Sequence, residues 1–197
     1  PIEGYRPLLQ QICQGSIKSL IEGRSNTALI GGWVVDLRRF GRRLVLTLDD
    51  RTAQISCILG EDFMANRVPP RKDTLLFVQG RMSPDDFAGG WRIFPNEIYD
   101  LEQVQARYAE RVLLKWPSEK PLDVAALTAC LAPVRKPDGC PVSLRYMNGT
   151  AQATMDLGGD WRIRVQESGL EPLKRLLGEE RVRVLYRRPA APAMSEA

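Results

Sequence analysis

A mixed β and α+β protein is what this 197-residue sequence predicts: a five-stranded barrel followed by a small α+β domain. Two observations carry that reading. Between Thr27 and Tyr99 the pattern takes the period of strands in five short apolar runs, with Ile55, Cys57 and Leu59 alternating in the third, parted by turn residues and by one brief helical stretch. Beyond Trp116-Pro117, two helical patterns mix with further strand-like runs.

Taken in order, residues 1–26 are a helical lead-in, with Leu8, Leu9 and Ile12 at helical spacing before Gly15. Thr27–Asp36 is the first strand, and Leu37–Arg43 a turn-like loop. Leu44–Leu48 and Ala53–Leu59 are the next two strands, joined by a tight turn at Asp49–Thr52. Glu61–Asn66 makes a helical turn or two before the breaker Pro69-Pro70. Thr74–Met82 is a fourth strand, Ser83–Gly90 a loop, and Trp91–Tyr99 a fifth strand. Three strands, a short helix and two strands is the order of an OB-fold, so 27–99 is expected to be one.

Residues 100–111 read as a connecting helix, with Leu101, Val104 and Tyr108 on one face. In 112–186, Leu122–Leu131 is a helix and Pro133–Gly139 a loop. Val142–Tyr146 and Thr150–Leu157 form a hairpin about Asn148-Gly149. Trp161–Val165 is a strand, Ser168–Leu177 a helix opened by a Ser168/Glu171 capping box, and Val182–Leu185 a last strand. Residues 187–197, rich in Pro and Ala, are expected to be a disordered tail.

Composition narrows the chemistry. The chain has no histidine, which excludes imidazole bases, His-based triads and His metal ligands. Cys13, Cys57, Cys130 and Cys140 lack C-x-x-C spacing and follow no signal peptide, so reduced thiols in a cytoplasmic protein are expected. No apolar run approaches the roughly 20 residues a bilayer demands, and no membrane association is expected. The formal charge is +4. Within it, residues 1–110 balance fourteen cations against fourteen carboxylates, while the remainder carries fourteen against ten.

An OB-fold takes ligands on the face of its second and third strands, between the first-to-second and fourth-to-fifth strand loops. Those loops hold Arg38, Arg39, Phe40, Arg42 and Arg43 on one side, and Phe87, Trp91 and Arg92 on the other. Arg51 and Arg81 lie at strand ends nearby. Guanidinium groups for phosphates and rings for stacking are what single-stranded nucleic acid requires. The plainer alternative is a solvated hairpin tip, with arginine stems covering the barrel rim. Asp49-Asp50 and Asp85-Asp86 raise the possibility of a metal-dependent nuclease or phosphotransferase. Both pairs sit at turns, where Asp is favoured, and neighbouring strand residues point to opposite faces. No phosphate-binding glycine loop is present. No catalytic residue, metal or cofactor is expected.

Several runs resemble the C-terminal region of the α subunit of bacterial DNA polymerase III: Leu46–Ile55 (LTLDDRTAQI), Val78–Arg81 (VQGR), Asp85–Gly90 (DDFAGG), Ala106–Arg111 (ARYAER) and Cys140–Arg145 (CPVSLR). Leu157–Val165 and Leu173–Leu177 continue the likeness, which is collinear over about residues 1 to 185. The resemblance implies an OB domain that binds single-stranded template DNA and a domain that binds the τ subunit of the clamp loader, within the polymerase III holoenzyme. It also implies a non-catalytic, monomeric piece of a DNA-directed DNA polymerase, with the metal-binding aspartates and the clamp-binding motif upstream of Pro1. Lys174, Arg175, Arg181, Arg183 and Tyr186 are the expected τ-facing residues. An OB-type tRNA-anticodon module, or a scaffolding OB-fold without nucleic-acid binding, is the alternative.

Overall fold

The structure, a computed structural model, describes residues 2–65, 67–86, 89–148 and 151–188. The chain divides into two compact units, Pro1–Val104 with Arg188–Ala197 and Gln105–Arg187. Among the described residues no helix is long and apolar enough to cross a membrane.

In the first unit, β1 (Thr27–Phe40), β2 (Arg43–Asp49), β3 (Gln54–Leu59), β4 (Leu75–Pro84) and β5 (Trp91–Tyr99) form a closed barrel in the order β1-β2-β3-β5-β4. Antiparallel neighbours supply most of the ladder, and a short parallel pairing of β3 with β5 closes it. The five-stranded OB-type barrel is therefore present. Alternate residues fill its interior: Ile30 and Val34 from β1, Leu46 and Leu48 from β2, Ile55, Cys57 and Leu59 from β3, Val78 from β4 and Ile93 from β5. The lead-in is two short helices, α1 (Arg6–Ile12) and α2 (Ile17–Glu22). The oxygen of Ser16 accepts from the backbone N–H of Ser19 and starts α2. A Cβ on Gly31 would stand 2.3 Å from Leu9 Cδ2, so glycine is what lets α1 lie on β1.

The first strand is longer than its apolar run suggests. It continues through Leu37, Arg38, Arg39 and Phe40, whose partners are Leu46, Val45, Leu44 and Arg43. A register shift between Val34 and Asp36 bends it there. Only Gly41, at φ +56°, and Arg42 remain to turn the hairpin. The short helix α3 (Glu61–Met64) separates β3 from β4.

The connecting helix α4 (Leu101–Tyr108) ends before Arg111, because Ala109–Lys115 is a strand, β6. In the second unit β6 is central in a four-stranded sheet ordered β10-β6-β8-β9, with β8 (Val142–Asn148), β9 (Ala151–Asp156) and β10 (Val182–Tyr186). The hairpin turn expected at Asn148-Gly149 falls partly outside the described residues. The helices α5 (Val124–Leu131) and α6 (Glu167–Leu177) pack Leu127, Leu131, Leu170, Leu173 and Leu177 with Val112, Leu114, Val142 and Leu144 of the sheet.

Three expectations fail in this unit. Most of Pro133–Gly139, read as loop, belongs to a strand, β7 (Arg135–Cys140). The strand read at Trp161–Val165 is a 3-10 turn followed by isolated bridges from Ile163 to Arg135 and Cys140. Ser168 is not the cap of α6: Gln166 is, with no side-chain hydrogen bond, and Ser168 lies inside the helix. Pro172 is thus the sixth helical residue rather than part of the first turn. Glu171 does not reach back to the cap but accepts from Lys174 Nζ at 3.1 Å.

Candidate nucleic-acid interface

Because Leu46, Leu48, Ile55, Cys57 and Ile93 point into the barrel, their strand neighbours point out. Pairing then sets those outward residues in rows. One row runs Asp36, Thr47, Ser56, Arg92 and Ser83 across β1, β2, β3, β5 and β4. Two residues along lie Arg38, Val45 and Ile58, with Phe94 opposite Arg81 on the far side. Beyond them Phe40 pairs with Arg43. The face therefore has a half-buried apolar centre, Val45, Ile58 and Phe94, inside a ring of Arg38, Arg43, Arg81 and Arg92.

The guanidinium groups are oriented by contacts within the face. Arg92 donates from Nε to Ser83 Oγ at 3.3 Å and stands 3.7 Å from the Asp85 carboxylate. Arg92 and Arg81 approach the Phe94 ring to 5.4 and 5.7 Å from its centroid. Arg38 pairs with Asp36 at 2.6 Å. Phe40 is 61% exposed at the hairpin end.

The structure separates residues that the sequence groups together. Arg39 pairs with Leu44 and so lies on the side opposite Arg38. With Arg42, Leu37, Leu44, Met64 and Pro69 it borders a second groove, where Arg42 meets Glu61 at 3.5 Å. Arg51, at φ +70°, is in the β2–β3 turn at the end of β2 remote from Arg43. Trp91 is on the side of Ile93, packs against the barrel core, and is no outward stacking platform. Phe87 lies outside the described residues. The aromatic that does face outward is Phe94, together with Val45 and Ile58. The period-two pattern of Arg92-Ile93-Phe94 carried that signal.

The Asp49-Asp50 pair is engaged in the turn, and Asp85 faces Arg92. Asp50 accepts from the N–H groups of Ile17, Thr52 and Ala53 and from Thr52 Oγ1, at 2.6–3.2 Å. Asp49 accepts from Arg51 N and Gln54 Nε2. Both are spent on the β2–β3 turn and on the start of α2. Among the described residues no cluster of three His, Cys, Asp or Glu side chains could hold a metal. The four cysteines are free. Burial pushes the Cys13 and Cys57 thiols up to about 12, which makes them poor nucleophiles.

In the second unit, Lys174 is held by Glu167 at 3.7 Å and Glu171 at 3.1 Å, and Arg181 by Glu119 at 3.1 Å. Arg175 and Arg183 are exposed. Tyr186 is half-buried, and its phenol is pushed up to about 12 by desolvation. Arg175 is on the helical side of the unit, whereas Arg183 alternates with the inward Val182 and Val184 and lies on the bare side of the sheet.

A family model described as DNA polymerase III subunit alpha, C-terminal domain, matches residues 126–178. The chain is 28% identical over 195 residues to the DNA polymerase III subunit alpha of Pseudomonas aeruginosa, covering 95% of this chain and 16% of that one. It is 29% identical over 170 residues to an Escherichia coli counterpart, covering 83% and 15%. The Pasteurella multocida counterpart matches at 28% over 197 residues, covering 94% and 17%. The chain thus spans about a sixth of the length of these relatives. Among solved structures it is similar to an OBody bound to hen egg-white lysozyme, at 18% identity and TM-score 0.38 over 46% of this chain and 95% of that one. It is also similar to an asparaginyl-tRNA synthetase from Pyrococcus horikoshii, at 16% identity and TM-score 0.38 over 44% and 22%. The chain is thus similar across most of its length to bacterial DNA polymerase III α subunits, and the model of that subunit's C-terminal domain falls in the second unit.

Proposed function

We propose that this chain is a non-catalytic portion of the replicative polymerase in which the barrel holds single-stranded DNA and the second unit docks the τ subunit of the clamp loader, in the cytoplasm. The outward barrel face carries the first half. Val45, Ile58 and Phe94 offer a base an apolar surface, and Arg38, Arg43, Arg81 and Arg92 surround it with cations for the phosphates. Sequence kinship to the α subunit supports the second half, with the exposed Arg175 on α6 as the contact.

The test is binding of a labelled oligothymidylate over a salt series. Replacing Arg38, Arg43, Arg81 and Arg92 by Gln removes up to four phosphate contacts and lowers the log–log salt slope by roughly 3. Phe94→Leu leaves the slope alone and weakens binding by about 1–3 kcal/mol per stacked base. Wild-type affinity in both variants places DNA elsewhere. For τ, Arg175→Glu weakens binding in calorimetry without shifting Tm, and unchanged τ affinity removes α6 from the contact.

A further inference from the structure

We infer that the bare face of the second unit's sheet is a phosphate-binding surface for a nucleic-acid backbone, separate from the barrel face. The inward residues Val112, Leu114, Val142 and Leu144 belong to the core under α5 and α6, so Arg111, Leu113, Lys115, Ser143 and Arg145 point the other way. Arg183 of β10 pairs with Leu113 and joins them. Of these cations only Arg111 is neutralised. It donates to Ser143 Oγ and to the Asp156 carboxylate, and Asp156 sits below the usual carboxylate range because Ser143 and Arg111 hold its charged form.

Lys115 and Arg145 face each other directly across the parallel β6–β8 ladder. Thr154, the residue opposite Arg145 on β9, brings no charge. Among the described residues neither Lys115 nor Arg145 has a side-chain hydrogen bond or ion pair, and neither has Arg183. Like charges directly opposite on a sheet are destabilising. The Nε of Arg145 is moreover buried and without a partner, an unsatisfied donor beside these cations. Three uncompensated cations on three adjacent strands present a spread of donors rather than a point site. They suit a row of phosphates, which accept from guanidinium and ammonium groups alike. The face displays no aromatic side chain on which a base could stack, and its apolar residues Leu113, Leu185 and Met147 stand on three different strands, so it contacts backbone and reads no sequence. An acidic peptide shares the charge but lacks the tetrahedral oxygens that accept from several of these donors at once.

The experiment uses the whole chain and labelled oligothymidylate in a salt series, with oligoglutamate of equal charge as competitor. Lys115, Arg145 and Arg183 replaced by Gln lower the log–log slope by roughly 2, and the same replacements remove the residual binding left in the barrel variant with Arg38, Arg43, Arg81 and Arg92 as Gln. Arg145→Lys, which keeps the charge, retains most of the slope, and Lys115→Gln alone gives about a third of the change if the triple variant fails to fold. An unchanged slope in Lys115→Gln and in the triple variant overturns the inference. Complete loss of binding in the barrel variant does so too, while leaving the barrel's role intact. Loss in the triple variant with no effect of the barrel substitutions keeps this surface and refutes the barrel. Oligoglutamate displacing DNA at equal charge concentration assigns the face to an acidic protein and overturns it.

Discussion

The two sheets of this chain each bury one face, and their free faces are built differently. On the barrel the arginines surround Val45, Ile58 and Phe94, and most are steered by a neighbour: Arg38 by Asp36, Arg92 by Ser83 and Asp85, Arg81 and Arg92 by the Phe94 ring. On the open sheet Lys115, Arg145 and Arg183 stand without partners, with Leu113 and Leu185 on separate strands between them. Ordered cations around an apolar centre can hold a base and its phosphate together, which selects single strands. Unpaired cations on a flat face hold charge alone. Closure matters as well. The barrel has no free edge, whereas β9 and β10 leave two edges at which another chain can pair.

The comparison supposes that each unit folds on its own core, and two glycines test this most severely. A Cβ on Gly80 would stand 2.1 Å from the Phe94 carbonyl oxygen, at the register shift of the β4–β5 ladder. A Cβ on Gly139 would stand 2.5 Å from the Ile163 carbonyl oxygen. Backbone cannot yield as a side-chain tip can, so each Gly→Ala change costs about 3 kcal/mol or more. Hydrogen exchange read by segment shows Gly80→Ala deprotecting 27–99 while 109–186 stays protected, and Gly139→Ala doing the reverse. Deprotection of both segments by either change makes the chain one cooperative block.

Alkaline pH distinguishes the units by their buried acids. The barrel unit holds Cys13 and Cys57, raised to about 12, and the second unit holds Cys140, raised to about 11, and Tyr186. All are raised by desolvation, so the folded state prefers the protonated form. Their contribution is intact below the unfolded thiol value near 9.0 and is lost as pH rises from there through 11 to 12. At pH 10.5 each barrel thiol gives up about 2 kcal/mol, and the more exposed Cys140 less. Thermal melts at pH 7.5 and 10.5 therefore show the barrel losing more, and Cys57→Val recovers about half of that loss. Equal losses in both units would mean that water reaches the barrel thiols.

Most of the architecture was legible because period two survives in each barrel strand. The site was legible in composition and less so in placement. Arg38 and Arg39 look equivalent in a row of four arginines, yet adjacent strand residues diverge, and the extension of β1 to Phe40 sends them to opposite sides. Trp91 outranks Phe94 as a stacking ring by size, but it shares the side of Ile93, and the core takes it. The run Ala109–Lys115 reads equally as helix or strand by itself. Its neighbours β8 and β10 decide, and they come from residues more than 25 positions away. Lys115 and Arg145 are 30 apart in sequence, and only pairing reveals them as opposed.

Helix caps give the smallest effects and the cleanest contrast. Ser168 with Glu171 has the spacing of a capping box, and Asp100 with Gln103 has the same spacing. In the structure it is Gln103 N–H that donates to Asp100 Oδ1 at 2.8 Å, and Asp100 N–H that donates to Gln103 Oε1 at 3.0 Å. That reciprocal pair satisfies two end groups of α4, and Asp100→Ala costs about 1 kcal/mol. Ser168 is two positions too late: the carbonyl of Gln166 already accepts from Gly169 and Leu170, and Glu171 is engaged by Lys174. Inside a helix alanine is the better residue by a few tenths of a kcal/mol. Ser168→Ala therefore leaves the urea midpoint unchanged or slightly raised, where a true cap would lower it by about 1 kcal/mol. A drop of that size would show that α6 begins at Ser168 in solution, and would shift the exposed Arg175 along its surface.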